Sequence, residues 1–94
     1  MVKSQNSKTT FHVVRKDTTI NIPANGNAEA KIPIPTGYNV LCICGFYYTN
    51  WTGVIIPYEF SLVDNKTNGI LVLHNANNTA ANNVNIELDF LCTD

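Results

Sequence analysis

Three cysteines, two histidines and a few carboxylates are the side chains that could carry chemistry in this sequence, and their spacing limits what that chemistry is. Cys42 and Cys44 lie two apart and Cys92 far downstream. A metal centre would need all three to converge with His12 or His74, and the tight-turn spacing of a zinc knuckle is missing. An odd number of thiols cannot all pair within one chain. On one strand face the Cα atoms of Cys42 and Cys44 would stand roughly 6.5 Å apart, near the upper limit for a disulfide. Cys42 and Cys44 are expected to stay reduced and packed as small hydrophobes. Either histidine could serve as a base, with Ser61 or Asp89 nearby, but no nucleophile elbow, metalloprotease helix or phosphate-cradling glycine loop accompanies them. Glu87 and Asp89 share one strand face, which reads as a solvated surface. No catalytic residue, metal site or cofactor is expected, and the chain reads as a non-enzyme.

The aromatic residues point elsewhere. Tyr38, Tyr47, Tyr48, Trp51 and Tyr58 gather around one apolar stretch and the loop after it. Trp51, between Asn50 and Thr52, is the one large aromatic in a polar segment. An aromatic plate beside amides and hydroxyls suits a sugar, whose C–H face stacks while its hydroxyls accept and donate hydrogen bonds. Asn77 and Asn78, in the asparagine-rich run Asn75 to Asn83, supply further amides. Trp51, Asn50, Thr52, Tyr48, Asn77 and Asn78 are the candidate ligand-binding residues.

Strands must position them. At the end of the sequence Val84, Ile86, Leu88, Phe90 and Cys92 alternate with Asn85, Glu87 and Asp89, the period of a strand with one dry and one wet face. No apolar period of 3.6 exists upstream to supply a covering helix. Thr9 to Arg15, a Lys16-Asp17 turn, and Thr18 to Ile22 are expected as the first two strands. Pro23 to Asn27 is a turn, with Asn25-Gly26 supplying positive φ angles. Ala28 to Ile34 is a short or edge strand because of its prolines. Tyr38 to Thr49, apolar at both parities, predicts a central strand covered by a second layer on each side or by a neighbouring subunit. In Val54 to Val63, Ile56, Tyr58, Phe60 and Leu62 point together, and Pro57 suggests a bulge or an edge. Ile70 to His74 follows a turn at Asp64 to Gly69. The expectation is an all-β domain, an antiparallel β-sandwich or jelly roll of seven to eight strands over residues 9–94, after a polar lead-in over 1–8.

The chain has 94 residues, is 45% hydrophobic and only 14% charged, against a usual charged share of roughly 25%. That is more apolar surface than a small two-layer core hides, and it implies a homo-oligomer. A net charge of -1 with six scattered Lys and Arg residues leaves no footprint for nucleic acid or anionic membrane. There is no signal-peptide pattern and no run long enough to span a membrane.

The segments Ile20-Asn21-Ile22-Pro23-Ala24-Asn25-Gly26, Ile32-Pro33-Ile34-Pro35-Thr36-Gly37-Tyr38 and Gly45-Phe46-Tyr47-Tyr48 resemble the small β domains at the C-terminal ends of bacteriophage tail-fibre and receptor-binding proteins. The resemblance covers about two-thirds of the chain. It implies a homotrimer that binds a host-surface glycan or protein and contacts other virion proteins. It also implies assembly in a bacterial cytoplasm, where cysteines stay reduced, and release by lysis in place of secretion. The family has no fixed binding residues to carry onto these positions. A purely structural virion role, as a trimerisation knob or a capsid or tail decoration without ligand, is the second reading.

Overall fold

A computed structural model of the chain describes residues 8–94; all of the expected lead-in except Lys8 lies outside the described residues. Six strands follow in order: β1 (Phe11–Ile22), β2 (Asn27–Pro33), β3 (Asn39–Thr49), β4 (Ile55–Val63), β5 (Asn68–Asn75) and β6 (Ala81–Thr93). They form two antiparallel three-stranded sheets, β1-β6-β3 and β2-β5-β4. The described residues are therefore all-β, with six strands in place of seven to eight.

The strand count falls because Lys16 and Asp17 do not turn. They pair with Leu88 and Glu87 in an unbroken ladder, so the two short strands read from the sequence are the single strand β1. Its even residues point inward and its odd residues outward, and Lys16 is half-buried on the inner face, where a lysine's aliphatic stem can cover apolar surface.

The closing strand β6 is the centre of its sheet. Val84, Ile86, Leu88, Phe90 and Cys92 are buried at 0–1% exposure, as their alternation requires. From the second sheet Ala30, Ile32, Ile55, Leu71 and Leu73 complete one shared core with them. Gly69 is bare because the Phe60 ring lies on it; a Cβ there would stand 2.3 Å from Phe60 Cζ. Phe60 in turn meets Phe90 across the sheets, ring centroids 6.4 Å apart.

The apolar stretch Tyr38 to Thr49 gives β3, which is an edge strand and not a central one. Its pairing with β6 slips between Val40 and Cys42 and again between Ile43 and Gly45. Leu41 and Cys44 are the inserted residues of two bulges. The bulges break the parity, so Val40, Cys42, Cys44 and Phe46 do not share a face. Cys42 opposes outward-facing Leu91, and Cys42 and Cys44 are exposed while Cys92 is buried. Cys42 and Cys44 are therefore not packed as the sequence reading expects, whereas Cys92 lies on the dry face of its strand. The same effect splits β4: a slip between Pro57 and Glu59 sends Ile56 outward and Phe60 and Leu62 inward. Pro57 lies, as anticipated, at both a bulge and an edge. The turn before β5 is shorter than Asp64 to Gly69, because the ladder resumes at Asn68.

Candidate functional site

Three connections meet at one end of the molecule: the Pro23–Gly26 turn between β1 and β2, residues 50–54 between β3 and β4, and residues 76–80 between β5 and β6. Backbone hydrogen bonds knit them, with Asn25 N donating to Asn77 O at 2.9 Å, Asn75 N to Gly26 O at 2.9 Å and Ala76 N to Val54 O at 3.1 Å.

Asn75 organises this end from beneath. It is the only buried polar residue among those described, at 0% exposure. Its Nδ2 donates to Ile22 O at 3.3 Å and Thr79 O at 2.9 Å, while its Oδ1 accepts from Asn77 N at 3.0 Å and Asn77 Nδ2 at 2.8 Å. A buried amide of this kind is tolerated because both of its ends are satisfied. Asn77 passes the order on, since its Nδ2 also donates to Val54 O at 3.0 Å.

The candidate residues fall into two groups. Tyr48, Trp51 and Asn77 converge on Gly53. The Tyr48 hydroxyl donates to Gly53 O at 2.9 Å and accepts from Ile55 N at 3.4 Å. A Cβ on Gly53 would lie 2.6 Å from both Asn77 Nδ2 and Trp51 Nε1, so only glycine lets the indole and the amide close on the backbone. Asn78, exposed, sits beside this group and accepts from Asn25 Nδ2 at 2.9 Å. Asn50 turns away, with φ 67° and its Nδ2 on Asn83 O at 2.8 Å. Thr52 is exposed.

Trp51 differs from the open plate that its polar neighbours suggest. It is half-buried and packs against the core, and its Nε1 is a buried donor without a partner. Indole N–H groups usually find an acceptor when buried. Asn75, Asn25 and Gly53 also build this end but stand outside the candidate set, although Asn75 belongs to the asparagine-rich run and Gly53 to the loop that carries Trp51. Asn25-Gly26 was visible as a turn, but nothing in the sequence marks Asn75 as inward-facing among so many loop asparagines.

The titratable groups weighed as catalysts are engaged elsewhere. Glu87 and Asp89 share the outer face of β6 as expected, and Arg15 clamps both: Nε and Nη2 donate to Asp89 at 2.7 and 3.0 Å, Nη1 to Glu87 at 3.3 Å. The Arg15 guanidinium holds the Asp89 carboxyl below its usual range, and the Tyr47 ring lies 4.8 Å from it. His12 meets Asp94 at 2.6 Å at the opposite end, and His74 Nδ1 meets Asn27 Oδ1 at 2.7 Å. Burial, then the neighbouring Cys44 and Cys42, push the Cys92 thiol up. Among the described residues no group of three or more His, Cys, Asp or Glu could hold a metal ion, and no helix is long and apolar enough to cross a membrane. No family model, curated protein or solved structure matches the chain, and the geometry of this loop end is what its function has to be read from.

Proposed function

We propose that this chain is a homotrimeric β-sandwich module of a phage-like particle that binds a host-surface saccharide at its asparagine-rich end. The observation that carries the reading is the convergence of Tyr48, Trp51 and Asn77 on Gly53, with exposed Asn78 and Thr52 beside them. The cluster is uncharged, rich in amides and contains aromatic surface, which is the chemistry a neutral sugar requires. Each site would be weak, and three on one particle would bind by avidity. The experiment is a glycan array probed with the intact protein, then titration of any hit against Trp51→Phe and Asn78→Ala. The reading expects at least one saccharide to bind and both variants to weaken it. An array without binding, or a hit that both variants bind unchanged, refutes it.

A ligand-free structural role has its own support. Asn25 directs its amide at Asn78, while Asn50, Asn75 and Asn77 direct theirs at backbone carbonyls, and Asn25, Asn50 and Asn83 adopt positive φ, a conformation asparagine tolerates better than most residues. These side chains hold the loops in shape whether or not a ligand arrives. Under this reading Asn78→Ala and Thr52→Ala leave every property of the particle unchanged.

A further inference from the structure

The two sheets are closed on one side and open on the other. Strand β1 runs beside β2, whereas β3 and β4 make little backbone contact across the gap between them. The gap is a groove of about 620 Å³ with Val40, Ile43 and Phe90 of one sheet and Phe60 and Leu62 of the other on its walls. Leu62 pairs with Gly69 and faces inward, yet it is 50% exposed. Inner-face side chains of both sheets are therefore left in reach of solvent.

The apolar area is too small for a protein partner. Of the nine exposed large hydrophobic side chains among the described residues, three line this groove: Tyr38, Leu41 and Leu62. Each about half exposed, they offer on the order of 250 Å², well short of the roughly 800 Å² that each partner of a standard interface buries. The volume, in contrast, falls within the about 300–1,000 Å³ of small-molecule sites, which are concave and mostly apolar with a few polar groups.

The polar part of the lining has a sign. Lys66 is the one charged residue on it, and no Asp or Glu lines the groove. Lys66 stands in the β4–β5 turn with φ 68° and takes part in no ion pair among the described residues. Its neighbour Asp64 is already engaged, by Lys31 at 2.7 Å and by Asn68 Nδ2 at 2.9 Å. An uncompensated cation beside an apolar groove favours a negative head group over a positive one.

We infer that the groove between β3 and β4 binds a single-chain aliphatic carboxylate, with its tail over Phe60 and Phe90 and its carboxylate at Lys66. The site lies in the half of the molecule away from the asparagine-rich end, where β3 begins at Asn39 and β4 ends at Val63. It is independent of the saccharide reading.

The test is titration of the intact protein with octanoate, decanoate and dodecanoate below their micelle concentrations, and with dodecyltrimethylammonium as the cationic counterpart. Native mass spectrometry counts the ligands on the 10.4 kDa chain. One carboxylate per chain is expected, with affinity rising about two- to fourfold for each methylene added. Dodecanoate should bind about tenfold tighter than the ammonium, and Lys66→Glu, a substitution on an exposed turn, should invert that preference. Leu62→Gln should weaken dodecanoate at least about threefold, and Lys66→Glu decides the question should Leu62→Gln fail to fold. Asn78→Ala, at the other end, should bind dodecanoate as the wild type does. No binding of any carboxylate, affinity that is flat with chain length, or a head-group preference that Lys66→Glu leaves unchanged overturns the inference. Protein that sediments with phosphatidylglycerol vesicles without binding free dodecanoate overturns it in favour of a lipid surface.

Discussion

Replacing Asn75 with alanine tests how the loop end is held together. Four hydrogen bonds converge on this buried side chain, two to the carbonyls of Ile22 and Thr79 and two from Asn77. Each is worth about 0.5–1.5 kcal/mol net. Thr79 is exposed, so water replaces part of its loss, whereas Ile22 is fully buried and its carbonyl is left without the amide. The expected cost is about 2–3 kcal/mol. At about 4–8 °C per kcal/mol for a domain of this size, the midpoint falls by roughly 10–20 °C. Urea titration at fixed protein concentration measures the loss. The emission of Trp51, the single tryptophan, reports where it occurs: Asn77, released, loosens its hold on Val54 O, and the spectrum shifts to longer wavelength before the global transition. Asn78→Ala, which removes one exposed bond, is the control and stays within about 0.5 kcal/mol of the wild type. A loss under about 1 kcal/mol for Asn75→Ala with unchanged emission would refute this view of the loop end.

Other outcomes follow from single contacts. Gly69→Ala drives a Cβ into the Phe60 ring and should cost about 1–3 kcal/mol by overpacking, read as a lower urea midpoint. Asp89, Asp64 and Asp94 have carboxyls held below their usual range, first by hydrogen bonds from Arg15, Lys31 and His12 respectively. Their folded pKa values lie below the unfolded value of about 3.9. The stability they supply is therefore present above that pH and is lost as pH falls through the lower folded values. Acid titration followed by circular dichroism should show Arg15→Gln flattening this dependence. Lys66 holds φ 68° in the β4–β5 turn, so Lys66→Gly should relieve more strain than it adds in unfolded-chain entropy and raise the thermal midpoint by a few degrees.

What was legible in the sequence is what local alternation determines. Strand β6 reads correctly because its core residues sit in an unbroken ladder with β1. The turn at Pro23 to Asn27 is placed correctly, although it carries the chain from one sheet to the other in place of closing a hairpin, and only Asn25 of the Asn25-Gly26 pair takes a positive φ. Lys16-Asp17 misled because charged residues in a strand resemble a turn until their partners Leu88 and Glu87 are known. Strand β3 misled for two reasons. Each bulge shifts parity by one residue, which no count of alternation detects. An edge strand that shows apolar side chains to its surroundings also has the same composition as one buried between layers. The loop end was legible in outline, with Trp51, Tyr48 and Asn77 together. The burial of Trp51 was not, because its depth is set by Gly53 and Asn77 closing over the indole, contacts between segments far apart in the chain.

The indole N–H of Trp51 gives the chain one resonance of its kind, at the centre of the proposed site. Nitrogen–proton correlation spectra recorded while a saccharide selected on the array is added test the account most directly. The account predicts a saturable shift of that resonance together with the side-chain amides of Asn77 and Asn78. Binding that leaves these resonances in place while moving others would contradict it.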